Sequence, residues 1–255
     1  MILSGLDPSG GAGIQADIQT ATALGVHPLP VLSCLTVQDT RNVYGATAVD
    51  ADLVRRQLEC LAADTPFHAV KTGALGNAEI VEVLADFLDA YPDIPLVVDP
   101  VIKAAGGGDL ADDALVASMR GTLFSRARVV TPNGIELAQL GGSDDPDEAA
   151  ARLLAGGCRS VLATGGHGTG ENIINRLYRE HEADREWALE RIGGEYHGTG
   201  CTLAAGIAAG LAQGLGLEQA IEQAQVCVLG AIRQAIAVGK GQPVPGRYVP
   251  RADQP

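Results

Sequence analysis

Residues 197–202 read HGTGCT and stand directly before a segment that is apolar almost without interruption. A helix without a polar face is buried, so the loop is predicted to deliver the N-terminus of a central helix to a site. Unpaired N–H groups and the helix dipole make such an end a receptor for anions. We predict an anion hole at Gly198, Thr199 and Gly200, with the Cys201 thiolate stabilised by the same field. The alternative is a glycine-rich turn in which Cys201 is a small core residue.

Short apolar segments alternate with helical patterns along the chain and predict an α/β fold. A mostly parallel, doubly wound sheet with helices on both faces follows from this alternation. We find no linker or repeat, so residues 1–255 are expected to form one domain, with a loosely held tail from about Gly239. The predicted strands are 31–37, 69–71, 94–98, 129–131 and 160–164, followed by a hairpin within 171–192.

Several helix starts carry capping signals. Asp50 and Asn77 each precede a periodic apolar pattern, and Asp145 is followed by Pro146, with Glu148 predicted to close a capping box. The last helix is predicted over 217–238.

Polar or glycine clusters end nearly every predicted strand, and ligands bind outside the carboxyl ends of such strands. Asp99, Asn133 and Glu136 could hold Mg²⁺, partly through water. Together with Cys201 as a base and the anion hole, these residues supply the groups needed for phosphoryl transfer without a P-loop.

A second interpretation is dinucleotide binding, because residues 11–16 read GAGIQA. The acidic residue expected after the second strand is missing at the required distance, since Asp39 comes late.

Charge, hydropathy and cysteine content limit the kinds of partner and the location expected for this protein. The net charge of −13 argues against a nucleic-acid partner, and no apolar run reaches membrane length. The five cysteines are scattered, which fits neither a disulfide framework nor a zinc site. We therefore expect a cytoplasmic protein, with its other four cysteines in the core: Cys34, Cys60, Cys158 and Cys227.

Seven blocks in a fixed order carry a resemblance to a known family. They are DPSGGAGIQAD at 7–17, TVQDT at 36–40, VKTG at 70–73, VVDPV at 97–101, TPN at 131–133, GGH at 165–167 and HGTGCT at 197–202. Together they resemble the hydroxymethylpyrimidine/phosphomethylpyrimidine kinases of thiamine biosynthesis, in the ribokinase-like superfamily. The resemblance extends from residue 4 to about residue 235.

The resemblance implies ATP and Mg²⁺ as cofactors, two successive phosphorylations of an aminopyrimidine, and a homodimer. Gln38 is expected to bind the pyrimidine edge, Gly5 to lend its amide and Asp17 to organise the pocket. Asp99 and Glu136 correspond to positions that handle Mg²⁺ and phosphate.

Cys201 corresponds to the catalytic position of these kinases. Asn133, Thr164 and Gly166 are expected on the nucleotide side. His167 and His197 are interpreted as turn residues rather than ligands.

The sequence departs from the family pattern at two kinds of position. Ala74 stands where the family carries a methionine that lines the pyrimidine site, which leaves room for a bulkier ring and makes a pyridoxal-type substrate the alternative. Lysines are missing from the loop at 104–109 and at Thr164. Their absence keeps a non-catalytic pyrimidine-binding relative as another alternative.

Overall fold

A computed structural model describes residues 1–103, 110–166 and 170–247 of the chain. The loop at 104–109 and His167, both named in the sequence analysis, lie outside these ranges. The described strands are β1 (Ile2–Leu6), β2 (Pro30–Gln38), β3 (Val43–Ala48), β4 (Val70–Thr72), β5 (Leu96–Val98), β6 (Val129–Val130), β7 (Ser160–Ala163), β8 (Asn172–Arg179) and β9 (Arg185–Glu190).

These strands form one mixed sheet in the order β3-β2-β1-β4-β5-β6-β7-β8-β9. Six neighbouring strands are parallel to one another, in the order β2, β1, β4, β5, β6 and β7. The β2–β3, β7–β8 and β8–β9 pairs are antiparallel. The parallel strands therefore end at one edge, where the predicted polar clusters follow them.

Helices cover both faces of the sheet, as the alternating pattern predicts. Their bounds are α1 (Gly13–Ala23), α2 (Ala51–Asp64), α3 (Ala78–Asp89), α4 (Asp113–Ser118), α5 (Gly134–Gly141), α6 (Pro146–Ala155), α7 (Thr199–Ala212) and α8 (Leu217–Arg233). A π-helical turn (Met119–Leu123) and a 3₁₀ turn (Phe124–Arg126) continue α4.

Alternate residues of the central strands face two separate apolar clusters. Val98 and Val130 pack with the helices α2 to α6, whereas Val97 and Val129 pack with α7 and α8. Because the sheet is buried on both faces, its central strands are continuously apolar, and β5 has no exposed residue. The predicted burial of α7 is confirmed, since nine of its residues are buried.

The predicted caps of α2 and α3 are confirmed. Asp50 accepts from the Leu53 amide and Asn77 from the Ile80 amide. At α6 the prediction is only half correct. Asp145 caps the Asp147 and Glu148 amides, but the Asp145 amide donates to Ser143 Oγ, and Glu148 binds Ser143 and Arg152 instead.

Three other predictions need correction. Strand β3 and the helical segment 113–126 are absent from the sequence prediction, and α8 ends at Arg233 rather than near residue 238. Cys60 is exposed and Cys227 is partly exposed, so only Cys34 and Cys158 of the four proposed core cysteines are buried.

The segment after Gly239 is not loosely held, at least as far as Arg247. Val244 pairs with Ile236 in both directions, and the Pro243 carbonyl accepts from the His197 amide. Arg247 is buried against the glycine-rich loops. Proline and glycine content alone predicts a flexible tail, whereas these tertiary contacts order it.

No helix in the described part of the chain is long and apolar enough to cross a membrane.

Candidate active site

The HGTGCT loop places the N-terminus of α7 at the carboxyl edge of the parallel sheet. Gly198 is the N-cap and has φ 84° and ψ 21°, a left-handed conformation that favours glycine. A Cβ there would also collide with the carbonyl oxygen of Gly11. The amides of Thr199, Gly200 and Cys201 open the helix and have no partner within it, which gives the predicted anion hole its donors.

Cys201 lies on the first turn of α7, partly exposed. Its thiol does not have the lowered pKa that the helix field predicts. Burial raises the pKa of Cys201 to about 12, the charge of Lys71 opposes this rise, and the carboxylates of Asp99 and Asp17 add to it. The Gly13 amide is also directed at the sulfur. Without ligands the thiol is therefore neutral, because burial and two acidic neighbours outweigh the field.

Lys71 is a component of the site that the sequence analysis quotes within VKTG without assigning it a role. Its side chain is fully buried, with Nζ 2.8 Å from Asp17 Oδ1 and 3.8 Å from Asp99 Oδ2. Burial alone would lower the pKa of Lys71, but the neighbouring acidic groups outweigh it and raise the pKa. A lysine inside an otherwise apolar strand is the sequence signal, because a buried charge requires partners.

Asp17 is completely buried, and its carboxylate contacts Lys71 within the site. Burial raises the pKa of Asp17, and the ion pair with Lys71 opposes that rise.

Asp99 and Glu136 form the candidate cation site. Burial raises the pKa of Asp99, and buried Asp99 Oδ2 accepts no hydrogen bond. Burial, with Asp99 as a second cause, raises the pKa of Glu136 to about 8. A carboxylate oxygen without a hydrogen bond, beside a second carboxyl group, fits a divalent cation that keeps most of its waters. The described residues contain no group of three or more His, Cys, Asp or Glu placed to hold a metal, so this site offers two protein ligands.

The N-terminus of α5 fixes Glu136 in position. Asn133 Oδ1 accepts from the Ile135 and Glu136 amides, and Glu136 Oε2 accepts from the Asn133 amide at 3.0 Å. Glu136 Oε1 lies 3.5 Å from the Ile102 amide. This reciprocal capping box is absent from the sequence prediction, and it occupies the Asn133 oxygen.

Thr164 and Gly166 lie beside Asn133 at the next strand end. Asn133 and Thr164 form a parallel bridge, and the Thr164 amide donates to the Pro132 carbonyl. Arg191, which the sequence analysis does not single out, donates to the Gly166 carbonyl at 2.9 Å. Its guanidinium supplies a positive charge at the strand end where Thr164 replaces a family lysine.

Gly5 and Ala74 lie together across β1 and the end of β4. The β1–β2 ladder changes register between Ser4 and Leu6, which interrupts the regular pairing at Gly5. A Cβ at Gly5 would come within 2.6 Å of Cys34 Sγ and 3.5 Å of the Ala74 Cβ. Only glycine fits there, and Ala74 keeps part of its surface exposed.

Gln38 ends β2, is half-buried and follows the exposed Val37. Its Nε2 lies 2.8 Å from His197 Nε2, and that nitrogen lies 2.9 Å from Asp7 Oδ2. His197 lies in a turn, as interpreted, but it is buried. Its ring connects Gln38 to the loop of the predicted anion hole.

Comparison with known proteins identifies the family. Residues 7–245 match the family model described as phosphomethylpyrimidine kinase. The chain belongs to this family. A hydroxymethylpyrimidine/phosphomethylpyrimidine kinase of Streptomyces coelicolor is 40% identical over 94% of this chain and 91% of its own length. The thiamine biosynthesis bifunctional protein ThiED of Geobacter sulfurreducens is 40% identical over 94% of this chain, which spans 50% of that longer protein.

The fold is that of the ribokinase-like family members. The pyridoxal kinase of Bacillus subtilis, solved as an ADP complex, superposes with a TM-score of 0.87 and is 30% identical, covering 96% of this chain and 95% of its own. The expected fold class and family are therefore confirmed, and the chain is a phosphotransferase by family.

Proposed function

We propose that this protein transfers the γ-phosphoryl group of ATP to 4-amino-5-hydroxymethyl-2-methylpyrimidine, and then a second one to the monophosphate, in thiamine diphosphate biosynthesis. The observation that carries the proposal is the anion hole of α7 with Cys201 beside Lys71 and Asp99, in a chain of this family. A dinucleotide-binding site at residues 11–16 would not explain the second glycine-rich helix start, at residues 198–200.

The residues of the site have distinct tasks in the first phosphorylation. The amides of residues 199–201 bind the transferring phosphoryl group, whose negative charge they stabilise where it develops. Cys201 removes the proton of the hydroxymethyl group as its oxygen bonds to the γ-phosphorus and the bond to the ADP oxygen breaks. Mg²⁺ held by Asp99 and Glu136 would neutralise phosphate charge.

Cys201 must be a thiolate to accept this proton, and two neighbouring groups favour that state. Lys71 and the Gly13 amide both lower its pKa against the effect of burial.

The cofactors, assembly and location are part of the same proposal. ATP use is supported by the family and by the ADP complex of the Bacillus subtilis relative. Leu35, Val37 and Tyr44 are exposed on the β2–β3 edge of the sheet, which supports a homodimer. We place the protein in the cytoplasm, where its small-molecule substrates are found, without nucleic-acid or membrane partners.

The deciding experiment is product formation from ATP and Mg²⁺, followed by mass spectrometry. Hydroxymethylpyrimidine, its monophosphate and pyridoxal are offered separately. Stepwise conversion of the pyrimidine to its diphosphate is the expected result. Binding of the pyrimidine without any product would contradict the proposal and indicate a non-catalytic relative.

A pyridoxal kinase activity is the second candidate. It is favoured by Ala74, whose small side chain stands where the family has methionine, and by the likeness to the Bacillus subtilis pyridoxal kinase. Turnover of pyridoxal alone would assign that activity. Ala74→Met would then be expected to reduce it, because the longer side chain fills the space beside Gly5.

A further inference from the structure

Gln38 sits between two groups whose hydrogen bonds determine which way its amide points. One corner of the amide lies 3.2 Å from Thr36 Oγ1, and the other lies 2.8 Å from His197 Nε2. The oxygen and nitrogen of a glutamine amide exchange places by a half-turn and are assigned from the surrounding hydrogen bonds. Donors and acceptors around Gln38 therefore settle its orientation.

The Thr36 side gives the first constraint. A threonine hydroxyl has one hydrogen to donate, and Thr36 Oγ1 lies 2.8 Å from the Leu6 carbonyl oxygen, which can only accept. Towards Gln38 the hydroxyl must therefore accept. The corner of the amide that faces Thr36 is the nitrogen.

The His197 side gives the same result independently. Asp7 accepts from the Ser9 amide and from the Ala12 amide, each at 2.8 Å, and from His197. These hydrogen bonds outweigh the effect of burial and lower the pKa of Asp7, so the group is an acceptor-only carboxylate. His197 Nε2 must then carry a hydrogen, and it has no lone pair with which to accept from an N–H group. The corner of Gln38 that faces it must therefore be the oxygen, which shares this hydrogen with Asp7 Oδ2.

We infer that His197, held by Asp7, is a positioning residue that fixes the Gln38 amide with its oxygen towards the imidazole and its nitrogen towards Thr36. One N–H and one lone pair of the amide remain without a partner among residues 1–103, 110–166 and 170–247. A 4-aminopyrimidine presents the complementary pair, a ring nitrogen that accepts next to an amino group that donates. Resting on the proposed function, this assigns substrate discrimination to the orientation of Gln38.

The position of His197 makes it a link between two parts of the site. Its ring packs where any side chain on Gly11 would collide with it, and its backbone continues directly into Gly198 of the anion hole. The amide that selects the acceptor and the amides that bind phosphate are thus connected through one residue.

The first test observes the ligand-free protein by NMR, so it does not depend on catalysis. Long-range ¹H–¹⁵N spectra are expected to show His197 protonated at Nε2. Nuclear Overhauser effects are expected between the Gln38 amide hydrogens and the Thr36 methyl group. An unprotonated Nε2 with the Gln38 hydrogens close to the imidazole would overturn the inference, whether or not the protein proves to be a kinase.

The second test measures dissociation constants for hydroxymethylpyrimidine and pyridoxal by calorimetry. His197→Phe keeps a ring over Gly11 but removes its donor, and Thr36→Val acts on the opposite corner of the amide. Each is expected to weaken pyrimidine binding about tenfold, the effect of one hydrogen bond, and pyridoxal binding less than twofold. Tyr44→Phe, on the same hairpin, removes only a contact with Asp39 and is the matched control.

Equal weakening of both ligands by both variants would refute the selective role and assign the residues to general support of the loop. Unchanged pyrimidine affinity in both variants would do the same. If the variants behave as expected but no product forms with ATP, the proposed function fails while the inference about Gln38 stands.

Discussion

Cys201 shows how a single residue can be placed for chemistry and still be held in an inactive protonation state. The helix N-terminus favours a thiolate, but burial and two nearby carboxylates raise its pKa to about 12. The charge of Lys71 opposes this rise. The acceptor hydroxyl needs a base, whereas the monophosphate acceptor of the second step is already an anion.

Replacing the thiol should therefore affect the two phosphorylations unequally. Cys201→Ala is expected to slow the first step about 100-fold or more, in the range of a lost general base, and the second by less than about tenfold. Single-turnover assays with each acceptor measure both steps. Equal losses would instead assign Cys201 a positioning role, and Cys158→Ala, at a buried cysteine in the core cluster on the other face of the sheet, is the control.

Glu136 makes stability depend on pH. Its pKa in the folded protein is about 8, against 4.5 ordinarily, so the folded state holds a proton that the unfolded state releases between these values. In chelator-treated protein, this group is expected to lower the free energy of unfolding as pH rises from 4.5 to 8, by at most about 1.4 kcal/mol per pH unit.

Urea unfolding at several pH values checks this expectation. Glu136→Gln has no titrating group at this position, so its curve should be flatter than that of the wild type over the same window. Parallel curves would show that Glu136 is ionised in the folded protein throughout the range. Added Mg²⁺ should reduce the slope, because it favours the ionised carboxylate.

At the scale of elements, the segment after α8 completes the site. Arg247 Nε donates to Thr202 Oγ1 at 2.7 Å, and its Nη2 donates to the Gly11 carbonyl at 2.8 Å and the Gly198 carbonyl at 3.1 Å. One guanidinium thus joins the glycine loop before α1 to the N-cap of α7. Planar geometry with several donors suits arginine for this arrangement, and lysine cannot reproduce it.

Loss of this link should loosen both loops. Arg247→Ala is expected to lower the free energy of unfolding by about 2–4 kcal/mol, because buried acceptors lose their partner, and to lower kcat. Arg247→Lys should recover little of either. Arg233→Ala, which breaks an exposed pair with Glu190, is the control and should leave unfolding near that of the wild type. Similar effects of the two alanine variants would contradict the role of Arg247.

The elements that the sequence predicts well are those with strong local signals. Asp50 and Asn77 cap their helices because a side chain can reach an amide three residues along. Strand β3 lacks such a signal: Gly45 interrupts it, and its pairing with β2 is what makes it a strand. The capping box at Asn133 and Glu136 was visible as N-x-x-E, although its glutamate was assigned to the cation alone.

At the scale of the whole molecule, the β2–β3 edge combines open backbone groups with apolar side chains. Val37 is 67% exposed and Tyr44 is 64% exposed, and β3 is the last strand of the sheet. Edges of this kind pair with another chain unless they are protected. The hairpin also carries Gln38, so assembly and substrate binding share one element.

Disrupting this edge should separate the proposed dimer. Val37→Lys is expected to sediment as a monomer where the wild type sediments as a dimer, and to raise the KM of the aminopyrimidine. Val226→Lys introduces the same charge at another exposed valine, on α8, and should leave the dimer intact. A wild-type monomer, or a dimer that survives Val37→Lys, would contradict the proposed interface.

The sequence by itself determined the alternation of strands and helices, the buried helix α7 with its glycine-rich start, and the order of the family blocks. Each of these depends on neighbours along the chain, through periodicity, caps and backbone freedom. Only the tertiary structure decided the protonation of Cys201, the ion pair of Lys71 with Asp17, the role of His197 and the anchoring of Arg247. These depend on burial and on charges brought together from distant parts of the chain, which no local pattern records.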